Sequence, residues 1–130
     1  MDPLTLAAAL ALCASGPRTT CVVDGDTFWL NGEKVRIADI NAPETHQAAC
    51  AEERALGKRA ARRLAELLGT GGWSLTIEGR AVDRYGRALR VVRRDGRSLG
   101  ETLIAEGLAE PWRGKRSDWC ASLAPAAATR

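Results

Sequence analysis

Apolar and polar positions alternate at a period of two along the first third of the chain, recur at helical spacing through the middle, and alternate again beyond it. Residues 21–23 and 27–30 read as two strand pieces joined through Asp24-Gly25-Asp26, and Asn31-Gly32 is a two-residue hairpin turn into a third strand over residues 34–40. Over residues 52–68, Leu56, Ala60, Leu64, Leu67 and Leu68 mark one face of a helix. Arg54, Lys58, Arg59, Arg62 and Arg63 give that helix a basic outer side, and Gly69 stands where it should stop. Trp73, Leu75 and Ile77 then alternate with Ser74, Thr76 and Glu78, and a run around Leu89, Val91 and Val92 ends at Asp95-Gly96, which predicts two more strands. Ser98-Leu99-Gly100-Glu101 has the spacing of a capping box and opens a short helix ending at Gly107.

Three strands, a helix, two strands and a helix predict an α+β fold: a five-stranded, partly open β-barrel of the oligonucleotide/oligosaccharide-binding (OB) type with two to three helices. A chain of 130 residues holds one such domain and is too short for two ordinary ones. The expected division is an N-terminal segment over residues 1–20, a domain over residues 21–120 and a fraying tail over residues 121–130. Residues 4–14 form an apolar, alanine-rich run, but Met1-Asp2-Pro3 lacks the positive start of a signal peptide, and the run is shorter than the roughly 20 residues that span a bilayer. It reads as the remnant of a signal or anchor, or as a short segment packing on the body.

The formal net charge is only +3, yet residues 1–50 hold three basic and six acidic side chains while residues 51–130 hold sixteen basic and ten acidic. Acids therefore gather where a metal could sit, and bases where a polyanion could lie. Sixteen of the nineteen bases are arginine, whose planar fork suits phosphate oxygens. The four cysteines, Cys13, Cys21, Cys50 and Cys120, show none of the close pairs of a zinc site and fit disulfides in an oxidising compartment. Of three possible pairings we favour Cys13 with Cys21, closing a short loop, and Cys50 with Cys120, tying the C-terminal end to the body. The expected location is periplasmic or secreted, membrane-anchored in a longer form.

Candidate chemistry lies in a series of short motifs: Val23-Asp24-Gly25-Asp26-Thr27, Val35-Arg36-Ile37, Ala42-Pro43-Glu44-Thr45, Asp83-Arg84-Tyr85-Gly86-Arg87 and Glu106-Gly107-Leu108-Ala109. Oxygen ligands for a hard cation, a further carboxylate and two arginines on loops and strand ends are what splitting a phosphodiester requires. In motif order and spacing the chain resembles the staphylococcal nuclease (thermonuclease) family over residues 21–112. The resemblance implies a calcium-dependent phosphodiesterase, a nuclease acting on DNA and RNA with little sequence specificity, working as a monomer. It further implies that Asp26 is a direct metal ligand, that Asp24 supports the metal through water, and that the Ala42 carbonyl is a ligand. Arg36 and Arg87 would grip the phosphate as charge builds on its oxygens, Glu44 would orient or deprotonate the attacking water, and Arg84 and Tyr85 would contact the nucleic-acid strand.

Asn41 stands where the family carries a second carboxylate ligand. Its amide oxygen can still coordinate Ca²⁺, and Mn²⁺ would accept the same oxygens, but one negative charge is missing. This departure sustains an alternative, a weak or inactive domain of the same fold that binds nucleic acid. Asp39 lies two residues before Asn41, so in an extended strand it would share a side with it and restore the charge. The family's C-terminal tyrosines have no match in Trp112-Arg113-Gly114-Lys115-Arg116; Trp112 or Trp119 would stack on a base and Arg113, Lys115 and Arg116 would hold the backbone. His46 receives no catalytic part.

Overall fold

The alternating segments become short strands wrapped around one long helix. The computed structural model, which describes residues 9–123, runs β1 (Cys21–Asp24), β2 (Thr27–Leu30), β3 (Glu33–Ile37), β4 (Ile40–Asn41), α1 (Ala51–Gly69), β5 (Ser74–Thr76), β6 (Ala88–Arg94), β7 (Arg97–Ser98), α2 (Leu99–Ala105), β8 (Glu110–Pro111) and α3 (Trp119–Ser122). The main sheet has the order β1-β2-β3-β6-β5 with β7 added to β6, and β4 and β8 form a separate antiparallel pair. Among the described residues no ladder joins β1 to β5, so the α+β fold is that of an open rather than a closed barrel.

Turn chemistry sets the register. Asn31 (φ 50°) and Gly32 (φ 83°) occupy the left-handed region in the β2–β3 turn, as Asp95 (φ 54°) and Gly96 (φ 78°) do between β6 and β7. Positive φ at both central residues matches the turn to the twist of the strands. The pairing of β3 with β6 is parallel, setting Val35 opposite Ala88 and Arg36 opposite Leu89. Burial follows the periodicities: Phe28, Val35 and Ile37 on the strands meet Ala60, Leu64 and Leu68 on α1, and Leu103 on α2 joins the same cluster.

The predicted third strand differs. A turn at Ala38 and Asp39, pinned by the Ala38 N–H donating to the Arg90 carbonyl (2.8 Å), breaks it into β3 and β4. The end of α1 also shifts: helix continues through Gly69, Thr70 caps it in right-handed geometry, and the left-handed residue is Gly71 (φ 71°). Ser98 caps α2 as expected, but by accepting from the Gly100 N–H (3.0 Å), while its hydroxyl donates to Asp39.

Both favoured disulfides are formed, Cys13–Cys21 across eight residues and Cys50–Cys120 across seventy. Residues 10–13 lie beside β1: the Cys13 N–H donates to the Val22 carbonyl, the Val22 N–H to Ala11, and the Leu10 N–H reaches Ala65 on α1. The remainder of the N-terminal apolar run, residues 4–8, and most of the tail, residues 124–130, lie outside the described residues. Among those described, no helix is long and apolar enough to cross a membrane.

Candidate active site

The loop after β4 is the centre of the site, and three elements grip it. Asp26, at the tight turn between β1 and β2, accepts from the Thr27 hydroxyl at Oδ1 (2.9 Å) and from the Ala42 N–H at Oδ2 (2.8 Å). Asp24 accepts at Oδ1 from both the backbone N–H (3.0 Å) and the hydroxyl (2.7 Å) of Thr45. Buried Glu53, in the first turn of α1, accepts from the N–H of Glu44 and of Ala49, both at 3.0 Å. Gly57 then lets α1 touch the loop, since a Cβ there would fall 2.3 Å from the Glu44 carbonyl oxygen. Glu44 is thus held at its N–H and closely packed by α1 at its carbonyl, and its side chain is half-buried.

Arg36 leaves β3 on the side opposite Val35 and Ile37, yet it too is buried. Its Nη1 donates to the Ile37 (2.5 Å) and Ile40 (2.9 Å) carbonyls, Nη2 lies 3.5 Å from Asp26 Oδ2, and the guanidinium sits 5.3 Å from the Trp112 ring centre. Burial lowers its proton affinity; Asp26 opposes that, and Arg87 and Arg116 add to it by like-charge repulsion. Those repulsions locate three guanidiniums in one electrostatic neighbourhood.

Arg87 is held by its own loop. Asp83 accepts from the N–H of Tyr85 and of Arg87 at Oδ1, both 2.9 Å, and from Arg87 Nε at Oδ2 (2.6 Å). Burial raises the Asp83 pKa, but the hydrogen bonds from Arg87 and Tyr85 and the guanidinium charge outweigh it and leave it low. Tyr85 is 68% exposed, with the Arg84 guanidinium 4.9 Å and that of Arg87 5.5 Å from its ring centre, and Arg84 donates to its hydroxyl (2.7 Å). Its ring is therefore presented to solvent among cations rather than packed on the sheet, where a base can stack on it.

Two clefts of about 370 and 360 Å³ meet at this loop, and Glu44, Gln47 and Arg116 line both. Asn41, Ala42, Glu53 and Trp119 complete the first; Asp24, Thr27, His46 and Arg87 help to complete the second. Arg116 forms an ion pair with Glu44 across the wall between them. Sequence reading places Arg116 with Arg113 and Lys115 as a backbone contact; its pairing with Glu44, far away in sequence, is one that no local pattern reveals.

Asn41 is 1% exposed. Its Nδ2 donates to Glu110 Oε1 (3.3 Å), across the β4–β8 pair, while Oδ1 has no hydrogen-bond partner. Carboxylates only accept, so this contact fixes the amide with its oxygen turned away from Glu110. A buried, unpaired oxygen is costly, and a hard cation would satisfy it. Asn41 Oδ1 is therefore the oxygen an ion could take, next in sequence to Ala42, whose N–H is bound by Asp26. Asp39 lies in the turn before them: it accepts from the Ser98 hydroxyl at Oδ2 (2.6 Å), and its Oδ1, like that of Asn41, is buried without a hydrogen-bond partner. The densest group of sulfur and carboxylate ligand atoms among the described residues, Cys50, Glu53 and Cys120, contains the disulfide sulfurs and is not a metal site.

A small open α+β sheet, a buried arginine, a loop braced by acids and one cleft rich in basic side chains make up the fold and the candidate site. The chain belongs to the staphylococcal nuclease family: the Staphylococcal nuclease homologue model matches residues 34–123, a stretch holding Arg36, Asn41, Glu44 and Arg87 but not Asp24 or Asp26. It is 33% identical to Micrococcal nuclease of Shigella flexneri over 87% of this chain and 72% of that protein. It is 40% identical to Endonuclease YncB of Bacillus subtilis over 67% of this chain and 43% of that protein, and 34% identical to Succinoglycan biosynthesis protein ExoI of Rhizobium meliloti over 68% and 48%. The chain thus spans less than half of the Bacillus relative.

Proposed function

We propose that the chain is a nuclease, a phosphodiester hydrolase that cuts DNA and RNA with little sequence preference and depends on Ca²⁺, with Mn²⁺ able to use the same oxygens. The observation that carries this reading is the meeting of Glu44 and Arg87 in one cleft, with Arg36 in electrostatic reach of Arg87 and Arg116. Nuclease-named relatives support it. A strand would lie along the more basic cleft, that of Arg18, Lys34, Arg87 and Arg116, with a base on Tyr85 and Arg84 beside it. Arg36 and Arg87 donate to the phosphoryl oxygens as negative charge builds. Glu44, its backbone N–H bound by Glu53, orients the attacking water and takes its proton; the phosphate draws Arg116 off Glu44 as it enters. A cation held by Asp26, Asn41 and Ala42 would neutralise phosphate charge and make bound water more acidic. Asp24 acts through Thr45, which it ties in place.

The test is cleavage of labelled single-stranded DNA and RNA across a Ca²⁺ titration, with chelator. Glu44→Gln and Arg87→Ala should each lower kcat/KM by at least about a hundredfold. Binding without cutting in any divalent metal would favour the second reading, a nucleic-acid-binding domain, which the neutral Asn41 supports. Two disulfides support an exported protein, periplasmic or secreted.

A further inference from the structure

The carboxylate charge missing at Asn41 has a replacement one strand away. We propose that Glu110 on β8 serves the cation site, turning the Asn41 amide oxygen toward the ion and supplying the negative field that an aspartate at position 41 would have supplied. This rests on the cation-binding part of the reading above.

Three observations meet here. Asn41 and Glu110 are register partners in the β4–β8 pair, so backbone hydrogen bonding, not a flexible side chain, sets them opposite each other. Asn41 is almost wholly buried, with its Nδ2 committed to Glu110 and its Oδ1 unpaired. Asp26 reaches the same loop through the Ala42 N–H but already faces the Arg36 guanidinium at 3.5 Å, a positive charge that opposes its own. A carboxylate accepting from an amide NH₂ polarises the whole amide and leaves its oxygen more negative, a stronger ligand for a hard ion. No other carboxylate hydrogen-bonds Asn41 among the described residues, and Asp39, the nearer candidate in sequence, is turned to Ser98.

The arrangement also decides what an aspartate would do at position 41. Asn41→Asp removes the donor to Glu110 and sets two carboxylates against each other in a buried place, so alone it should destabilise the metal-free protein. Exchanging the pair, Asn41→Asp with Glu110→Gln, restores a hydrogen bond across the strands, now donated by the amide at position 110, and moves the negative charge onto the ligand itself.

Isothermal titration with CaCl₂, together with thermal melting with and without the ion, reads this directly and needs no catalysis. Glu110→Gln should weaken Ca²⁺ binding about tenfold, because affinity follows the charge around the ligands. Asn41→Asp should lower the metal-free melting temperature and show a larger Ca²⁺-induced rise than wild type, and the exchanged pair should melt near wild type and bind at least as tightly. Equal Ca²⁺ affinity in wild type and Glu110→Gln would overturn the role of Glu110 while leaving the cation site standing. Failure of wild type and exchanged pair alike to bind any Ca²⁺ would remove the site and this proposal with it, and cleavage in chelator would then show whether nuclease action survives without a metal.

Discussion

Single carboxylates here act mostly by holding backbone rather than by facing solvent. Asp83 is the clearest: it takes two N–H groups and one guanidinium, and the residue it fixes is Arg87. Asp83→Ala should cost about 2 kcal/mol of stability and raise KM for a strand, because Arg87 loses its support. Since the folded pKa of Asp83 lies below its unfolded value, the unfolded chain binds more protons, and the contribution is complete above the unfolded pKa near about 4 and lost as pH falls through the folded one. The melting-temperature gap between wild type and Asp83→Ala should therefore be constant from pH 5 to 8 and shrink only in more acid solution; a gap closing near neutrality would mean that another group is responsible. Asp26, Arg36, Glu44 and Arg87 could be named as candidates because the motifs that carry them are local; of these Glu44 and Arg87 meet in one cleft, while Asp26 and Arg36 are buried and line neither. The contacts of Glu53, Arg116 and Glu110 were not legible, since each meets a partner distant in sequence or across a strand pair.

Elements were legible where one periodicity ran uninterrupted, as in α1, and failed where a turn hid inside an apolar stretch. Residues 34–40 show no glycine or proline to announce the break at Ala38 and Asp39, so alternation carried across it assigned Asp39 the wrong side. The short β7 and β8, two residues each, fall below what a pattern can register. Gly57 illustrates how contact between elements reverses a propensity argument. In a free helix, Gly→Ala gains roughly 0.5–1 kcal/mol. Here the new methyl would meet the Glu44 carbonyl, backbone that cannot swing away, so Gly57→Ala should instead lose about 1–3 kcal/mol net. Urea unfolding measures the sign, and the same variant should show reduced cleavage because Glu44 is displaced.

For the molecule as a whole, two covalent ties of very different span provide a test of what each contributes. In the chain-entropy account, opening the seventy-residue Cys50–Cys120 link should cost roughly 2 kcal/mol more than opening the eight-residue Cys13–Cys21 link. Paired serine variants compared by urea midpoint decide it; serine at position 50 keeps an acceptor at the N-terminus of α1. Equal losses would mean that lost packing, not loop closure, dominates. The parallel pairing of β3 with β6 has a consequence in time. A chain halted before Ala88 already holds Asp26, Arg36 and Glu44, but β3 lacks the neighbour that sets Arg87 beside Arg36. For a protein with the proposed activity, the cutting site is thus a late product of translation, and a nascent chain is harmless to the message being read until the strand after Arg87 has left the ribosome.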